Sequence, residues 1–433
     1  MLRISQLKLP VEHTEAQLKK KLLKTAHIKE QDLKQFFIRK RSVDGRKKPE
    51  LYYVYTVDLI VANEEHVKKI SKGKLQTVQE KNYHIPEHGA KKLRKRPVVI
   101  GSGPAGLFCA YLLAFEGYEP LVIERGAPVR ERQKVVEQFW KDGILNTASN
   151  VQFGEGGAGT FSDGKLNTLV KDKFGRNRFV LETFVKFGAP EEILWESKPH
   201  IGTDILIEVV ERMREEIIRL GGEFLFHSQV TDILPKENCL IVNGCHRIET
   251  DAAVFAVGHS ARDTFQMLFD RNVAMKSKSF AIGVRAEHRQ DMIDEAMYGR
   301  KERGPLGAAA YKLTAQLENG RGVYTFCMCP GGYVVNASSE QGRLAVNGMS
   351  YHDRAGENAN SAVIVTVTKV DYGSDHPLAG MEFQRRLEKK AWEEGGGNVP
   401  IQRFADFCTG TISVKTGNVT PNIKGNQIHI KKK

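Results

Sequence analysis

Three glycines about a quarter of the way along the chain have the spacing of a nucleotide-binding turn. The GxGxxG motif comprises Gly101, Ser102, Gly103, Pro104, Ala105 and Gly106. It follows a short apolar run at 98–100, typical of a buried parallel strand, and opens a helix-like run that Gly117 ends. In such a unit the glycines allow a tight turn, close approach of the backbone to a pyrophosphate, and close helix–strand packing. The helix N-terminus adds N–H groups and the positive end of the helix dipole, so the stretch predicts a dinucleotide site.

An acidic residue in register with the motif supports this interpretation. Glu124 directly follows a second predicted strand at 120–123. A carboxylate at this distance from the glycines is placed to accept hydrogen bonds from a ribose 2′-hydroxyl. Strand, turn, helix, strand and acid in this order argue against a chance cluster of glycines.

A second glycine-rich loop runs from Asn150 to Leu166, with the sequence NVQFGEGGAGTFSDGKL. Glycines in such number indicate backbone that lies against a partner rather than packed side chains. A flexible surface loop is the alternative, but it would leave Phe153, Phe161 and Leu166 in water. We therefore expect the loop to cover the reactive end of the same cofactor and to direct N–H groups at a phosphate or ring.

Two cysteines, Cys327 and Cys329, form a CxC pair before Pro330. One interpretation is a thiolate or redox pair that faces the cofactor. The other is simple packing beside Phe326 and Met328. A disulfide between two cysteines this close would be a strained ring, which favours packing. Whether the thiols are reactive depends on their exposure.

Further candidates for chemistry are polar groups near glycines. Ser162 and Lys165, with Asp163 between them, are placed to touch substrate or cofactor, or to form turn hydrogen bonds. His259, after a predicted buried strand at 252–257, is a candidate acid–base group or a turn histidine bonded to backbone. Three further residues, Arg285, Tyr311 and Arg354, are candidates to bind an anionic substrate. The alternative is that the two arginines form buried ion pairs. No spacing of His, Cys, Asp or Glu predicts a metal site.

The elements around these residues predict several domains. Residues 1–96 follow a β-α-β-β-α pattern typical of a small ferredoxin-like α+β domain. In it, strands at 36–41 and 51–61 are joined across an Asp44-Gly45 turn. After residue 276 short strands alternate with loops, which is typical of an antiparallel substrate domain. With 433 residues the chain is long enough for two or three domains.

Composition narrows the class of protein. No apolar run approaches the ~18 residues of a membrane helix, and the N-terminus lacks the apolar core of a secretory signal. Six cysteines are too few to stabilise a chain of this size by disulfide bonds, so we expect the protein to reside in a reducing cytoplasm. The sequence therefore predicts a cytoplasmic protein that does not associate with membrane.

The net charge of +13 lies entirely before the nucleotide motif. Residues 1–96 hold 24 of the 65 Lys and Arg but 11 of the 52 Asp and Glu, so the charges of the remainder cancel. One interpretation is a contact with nucleic acid or an acidic protein through residues such as Arg39, Lys40 and Arg46. The other, which we favour, is a solvated hairpin and a lysine-rich helix face.

Several strings of the sequence resemble one family. The Gly101 motif with Glu124, the loop at 153–166 and the turn at Gly258 resemble flavoproteins of the glutathione-reductase-like FAD superfamily. More narrowly, the strings FGEGGAGTFSDGKL, KPHIGTD, AVGHSARDT and FCMCPGGYVV are similar to an uncharacterised bacterial group of FAD-dependent dehydrogenases. The resemblance extends from the N-terminal domain to about Asn422 and does not identify a substrate.

The resemblance implies roles for residues of this sequence. Residues 101–106 would hold the FAD pyrophosphate and Glu124 the adenosine ribose. Arg125 and Arg132 would lie near the adenine half, and the backbone of Val230 would bond adenine. The residues that would line the ribityl and flavin end are Gly157, Ala158, Gly159 and Thr160, while Gly258 would lie at the nucleotide crevice.

One departure from the superfamily concerns the end of the chain. Members return to the nucleotide domain with a strand, a Gly-Asp or Gly-Glu turn and a glycine-rich helix start, and nothing after Gly410 matches this segment. We therefore expect the family's C-terminal segment to be lacking, with weak FAD retention and poor turnover. A stoichiometrically yellow, active chain would contradict that expectation.

The expected fold is α/β: a Rossmann-like FAD-binding domain, an inserted, mainly antiparallel β substrate domain and a ferredoxin-like head. The expected boundaries are 1–90 for the head, 91–96 for a linker, 97–272 for the FAD domain, 273–407 for the substrate domain and 408–433 for an incomplete return. The sequence has no second GxGxxG motif in a strand–turn–helix context that would indicate an NAD(P)H site. An organic small molecule is therefore expected to react with FAD directly. The alternative is a flavin-bound or flavin-deficient binding protein whose basic residues 1–96 contact nucleic acid or an acidic partner.

Overall fold

The computed structural model describes residues 1–71, 73–168 and 170–425, and the backbone of 428–429. The chain divides into two compact units, neither of which is one continuous segment. The first unit consists of Met1–His88, Lys165–Ile201 and Gln290–Ala310. The second consists of Gly89–Gly164, Gly202–Arg289 and Tyr311–Lys433.

The first unit begins with an antiparallel sheet covered by helices. Its N-terminal elements are β1 (Leu2–Pro10), α1 (Glu15–Ala26), β2 (Leu33–Lys47), β3 (Glu50–Val61), α2 (Glu64–Ile70) and β4 (Leu75–Thr77). The strand order β2-β3-β1-β4, with every pair antiparallel, is the connectivity of a ferredoxin-like sandwich. Apolar residues on alternate positions of β1 and β3 form its core with Leu18 and Leu22 of α1.

Two local features of this unit concern the ends of its elements. Thr14 caps α1 in a capping box with Gln17. The predicted turn at Asp44-Gly45 is wrong, because β2 and β3 continue to Lys47 and Glu50 and the chain reverses at Lys48-Pro49. The Asp44 carboxylate instead bonds Lys8 and Arg46 in the ladder.

The second unit begins with the parallel sheet that carries the glycine motif. Its first elements are β5 (Val98–Ile100), α3 (Pro104–Phe115), β6 (Leu121–Ile123) and α4 (Val129–Asp142). After α5 (Arg176–Lys186), which belongs to the first unit, follow α6 (Thr203–Arg219) and β7 (Glu223–Leu225). The strand, helix and strand predicted around Gly101 are confirmed.

An antiparallel meander and the last parallel strand complete this part. They comprise β8 (Val230–Leu234), β9 (Cys239–Val242), β10 (His246–Glu249), β11 (Ala253–Phe255) and α7 (Arg262–Asp270). The parallel sheet has the order β11-β5-β6-β7. The expected buried strand at 252–257 is therefore shorter than predicted and lies at a sheet edge, where Val254 is 38% exposed. The protein is a mixed α/β chain with a Rossmann-like nucleotide-binding domain.

The rest of the chain is largely antiparallel. Its elements are β12 (Phe280–Arg289), α8 (Gln290–Tyr298, in the first unit), β13 (Thr314–Gln316), β14 (Gly322–Cys329), β15 (Tyr333–Asn336), β16 (Val346–Met349), β17 (Asn358–Val367), α9 (Lys369–Tyr372), α10 (Ala379–Glu394), β18 (Val399–Pro400), α11 (Phe404–Thr409), β19 (Ile423–Lys424) and β20 (Ile428–His429). The main sheet has the order β12-β17-β14-β13, and a smaller sheet the order β16-β15-β19. Across the described residues, the apolar stretch of every helix is too short to cross a bilayer.

Candidate functional site

The glycines of the GxGxxG motif differ in what surrounds them. Gly101 has φ +99°, and a Cβ there would lie 2.6 Å from the carbonyl oxygen of Ala256. A Cβ at Gly106 would lie 1.8 Å from the carbonyl oxygen of Gly101, so both positions require glycine for the fold. Gly103 has an ordinary φ of −68°, and its added Cβ would meet only the Cα of Gly157, at 3.8 Å. Gly103 therefore leaves space open where the turn meets the start of α3.

The start of α3 is arranged as an anion site. Gly103 is the N-cap and Pro104 the first helical residue, and no side chain caps the helix. The backbone donors of this first turn, aided by the helix dipole, are therefore available to a negatively charged ligand.

The two glycine-rich segments meet at this turn. The Gly156 N–H donates to the carbonyl oxygen of Ser102 over 2.9 Å. A Cβ at Gly157, whose φ is +62°, would lie 3.0 Å from the Cα of Gly103. Segments more than fifty residues apart in sequence are thus in backbone contact, and both line one cavity of about 470 Å³.

Most of the residues expected at a cofactor lie around this cavity. The wall includes Gly101, Gly103, Pro104, Ala105, Glu124, Arg125, Gly157, Ala158, Gly159, Val230, Gly258 and His259. Four expected residues, Ser102, Gly106, Arg132 and Thr160, are not part of this wall. Further residues of the lining, not predicted as site residues from the sequence, are Gln152, Ser228, Gln229, Phe255, Thr264 and Phe265. Several of these residues lie at or shortly after the end of a strand. A position at the carboxyl end of a strand is the one sequence pattern that indicates them as site residues.

Glu124 binds both glycine segments. One carboxylate oxygen accepts hydrogen bonds from the N–H and hydroxyl of Ser102, at 2.9 and 2.8 Å. The other accepts from the N–H groups of Gly126 and Gly154, at 2.9 and 3.1 Å. A carboxylate offers about four acceptor positions. Protein donors occupy that many here, so the expected ribose contact stays a prediction and would share one of these oxygens.

Arg132 organises the second loop from inside. Its fully buried guanidinium donates to the carbonyl oxygens of Asn150, Val151, Gly154, Glu155 and Gly157, at 2.6 to 3.3 Å. Its planar group also lies over the ring of Phe161. Burial lowers the pKa of Arg132 to about 10. These contacts place Arg132 under the loop, and its expected position near the adenine half stays a prediction.

Arg125 forms the wall next to Glu124. It binds both carboxylate oxygens of Asp263, at 2.9 and 3.0 Å, and covers the ring of Phe153 at 4.4 Å. Burial would raise the pKa of Asp263, but the hydrogen bond and charge of Arg125 outweigh it, so that pKa is lowered. The guanidinium is thereby fixed at the cavity.

Comparison with known proteins adds the family. A protein of Clostridium beijerinckii described only as uncharacterized is 48% identical over 434 residues, which cover 97% of this chain and 80% of that protein. Residues 279–431 match a family model described as FAD-dependent protein, C-terminal domain-like. The chain belongs to an FAD-dependent family. Residues 99–129 also match an NAD(P)-binding Rossmann-like domain, and residues 1–60 a domain of unknown function.

Three solved structures each overlap with part of this chain. OTEMO in an FAD-bound form is 17% identical over 39% of this chain and 26% of its own, with a TM-score of 0.23. THI4 of Thermovibrio ammonificans is 15% identical over 42% and 64%, with a TM-score of 0.26. The halogenase PltM is 10% identical over 68% and 56%, with a TM-score of 0.32. Overlaps this weak carry no functional argument.

The cofactor is FAD, and the protein is in general terms a flavin oxidoreductase. The residues present fit it: the opening at Gly103, the uncapped start of α3 and the adjoining backbone of the second loop form a cradle that a Cβ would narrow. The hydroxyl oxygen of Thr160, at the end of that loop, is buried without a hydrogen-bond partner among the described residues.

Ser162, Asp163 and Lys165 do not form one group. The Ser162 hydroxyl donates to the carbonyl oxygen of Gly159 over 2.6 Å and accepts from the Gly164 N–H, as a turn residue does. Asp163 is buried and paired with Arg354. Lys165 belongs to the first unit, where its backbone pairs with that of His200 in an isolated antiparallel β-bridge. A catalytic role for Ser162 or Lys165 stays a prediction.

The cysteine pair consists of two separate thiols. Cys327 is exposed in a bulge with φ +43°, whereas Cys329 is buried and donates its thiol to the carbonyl oxygen of Cys327. Among the described residues, no group of three or more His, Cys, Asp or Glu is arranged to hold a metal ion.

Alkylation should separate these two thiols. We expect iodoacetamide to modify Cys327 in the native protein within minutes and to leave Cys329 unmodified until unfolding, because only the first thiol is reachable. Peptide mass spectrometry measures both. Exposed Cys245 and buried Cys239 serve as internal controls, and equal labelling of the pair would contradict the expectation.

His259 should titrate below its usual range. Loss of hydration, together with the Arg262 guanidinium, lowers the pKa of His259 from 6.5. The unfolded chain then binds a proton more readily than the folded one. The contribution of His259 to folded stability is complete above pH 6.5 and is lost as the pH drops through the lowered value, and it is small because His259 is exposed to solvent. Imidazole NMR measures the pKa, and His259→Gln should reduce the stability loss on acidification; a pKa above 6.5 would contradict this.

Proposed function

We propose that this protein is an FAD-dependent dehydrogenase that transfers a hydride between an organic small molecule and the flavin. The observation that carries the proposal is the single cavity lined by the turn at 101–106 and the loop at 157–159. When bound, FAD supplies the hydride chemistry, and the chain provides binding and orientation. We place the FAD domain at 97–272, the substrate domain at 273–407 and an incomplete return segment at 408–433, with the head and linker before residue 97.

The proposed orientation follows from the wall of the cavity. The uncapped start of α3 would take the pyrophosphate, since its N–H groups and dipole favour anions. Glu124 and Arg125 would lie along the adenosine, and the backbone of Val230 would bond adenine. Residues 157–160 would then lie along the ribityl chain and the flavin, with the orphaned Thr160 hydroxyl at that end.

Arg285 is the residue we propose for contact with an anionic substrate. Of the three candidates, Arg354 is paired with buried Asp163, and the Tyr311 hydroxyl bonds His288 over 2.7 Å. Arg285 bonds only neutral oxygens in the described part of the chain, those of Cys327, Asn347 and Asn360. Its charge therefore remains available, next to a buried amide nitrogen of Asn360 that has no partner among those residues.

We also propose a cytoplasmic location. All six cysteines are thiols, as a reducing compartment would keep them.

The test is flavin binding followed by flavin reduction. The purified chain is incubated with FAD and desalted. Its visible flavin band is then recorded, and bleaching of that band by candidate donors is followed in the absence of oxygen. We expect FAD to bind but to be retained at less than one per chain after desalting, with slow bleaching by an organic donor and none by NADH or NADPH alone. Absence of bound flavin would contradict the site, and bleaching by NAD(P)H alone would contradict direct reaction with an organic substrate.

A further inference from the structure

A groove in the first unit is unrelated to the flavin cavity. Its volume is about 610 Å³, and seven consecutive residues of β2, Leu33 to Arg39, form one side. Arg178, Glu191, Leu194 and Trp195 also line it. Successive side chains of a strand point to opposite faces of its sheet. A groove lined by seven in a row must therefore run along the edge of β2 rather than over either face.

The edge of β2 already accepts one short backbone neighbour. The N–H of Arg41 donates to the carbonyl oxygen of Trp195 over 2.7 Å, and the N–H of Ser197 donates to that of Arg41 over 2.9 Å. From Leu33 to Lys40, no strand lies on this edge within the described parts of the chain. Such an edge presents N–H and C=O groups that can pair with another chain.

The groove offers apolar contact and positive charge. Leu33, Phe36 and Trp195 are half-buried along it, while Lys34 is exposed and has no salt-bridge partner among the described residues. Lys19, Arg39 and Arg178 also line the groove and are each paired with a carboxylate. Glu15 and Glu191 are the acidic residues of the lining. The lining therefore holds four basic side chains against two acidic ones, and Lys34 is the basic one left without a salt bridge in the described part of the chain. Its residues 15–39 belong to the segment 1–96, which carries all the excess charge of the chain.

We propose that this groove binds an extended acidic peptide segment of another protein as an added strand on β2. Main-chain hydrogen bonds to residues 33–40 would supply affinity. Alternate apolar side chains would contact the Phe36 and Trp195 side, and acidic ones would face Lys34. A nucleic acid has no peptide backbone to pair with a strand edge, so the geometry favours the peptide. The proposal does not depend on the flavin reaction.

The probe is a short fluorescein-labelled peptide of alternating valine and glutamate, measured by anisotropy with the full-length protein. We expect saturable binding, and at least about tenfold weaker binding of the matched valine–lysine peptide. N-methylation of alternate amides in the probe should abolish binding in one of the two registers and spare the other, because only one set of N–H groups faces β2. This measurement leaves the protein unchanged.

The matched variants are Lys34→Glu and Lys68→Glu. Both reverse one exposed charge, but only the first lies in the groove, so we expect about fivefold weaker binding for the first alone. Equal affinity of both N-methylated registers, or no binding of the acidic probe, would overturn the proposal. So would single-stranded RNA that binds more tightly than the peptide and is weakened by Lys34→Glu.

Discussion

Gly103→Val should fold normally and lose FAD. The backbone of Gly103 has φ −68° and ψ −179°, which valine adopts without strain. The nearest described atom to its added Cβ is the Gly157 Cα at 3.8 Å, an ordinary contact, so the larger side chain must occupy the opening for the pyrophosphate. We expect FAD affinity to fall at least about 100-fold, which is about 2.8 kcal/mol. Calorimetric titration with FAD measures it, and circular dichroism monitors the fold.

Two glycines provide the controls for this substitution. Gly89→Val places the same side chain at an exposed glycine with nothing within 4 Å and should leave FAD binding unchanged. Gly106→Ala, whose Cβ would lie 1.8 Å from a backbone oxygen, should destabilise the whole unit. Wild-type affinity in a folded Gly103→Val variant would show that the pyrophosphate does not bind at this turn.

Arg132→Met should destabilise the second unit and release the second loop. Methionine fills much of the same volume but removes the Arg132 donor from five carbonyl oxygens of the loop. Two of them, those of Gly154 and Gly157, keep a backbone N–H donor, so three acceptors are at risk of being left unsatisfied. Each buried acceptor left unsatisfied costs ~1–3 kcal/mol, though water would rescue some of them, so we expect a loss of at least about 3 kcal/mol. Thermal unfolding and the rate of proteolysis within 150–160 measure the two effects.

Arg130→Met is the matched control on the same helix. Arg130 is about half exposed and pairs with Glu211 at the surface, so its replacement should change stability by less than ~1 kcal/mol. Similar losses for both variants would mean that the buried guanidinium does not hold the loop. A loop that stays resistant to proteolysis in Arg132→Met would mean the same.

The parts of the site that the sequence predicts are those that use local backbone rules. A GxGxxG turn between a strand and a helix permits few conformations, and Gly101 and Gly106 take the strained or crowded positions that it requires. The sequence also predicts that the two glycine segments lie against the same ligand, which stays a prediction. The hydrogen bond from the Gly156 N–H to Ser102 shows that the two segments are in contact.

The parts that the sequence does not predict depend on contacts distant along the chain. The resemblance places Arg132 near adenine, and no local pattern shows that its partners are five carbonyl oxygens of a later loop. Asp44-Gly45 has the composition of a turn, yet Lys8 from another strand holds Asp44 within the ladder. The division of the first unit among three segments likewise follows from packing, which periodicity does not report.

The most direct test of the central claim is a crystal structure of the full chain grown with excess FAD. We expect one FAD in the cavity of about 470 Å³. Its pyrophosphate should lie against the N–H groups that follow Gly103, and its ribityl chain and flavin ring along 157–160. An FAD that touches only one of the two glycine segments, or that binds in a different cavity, would contradict the account.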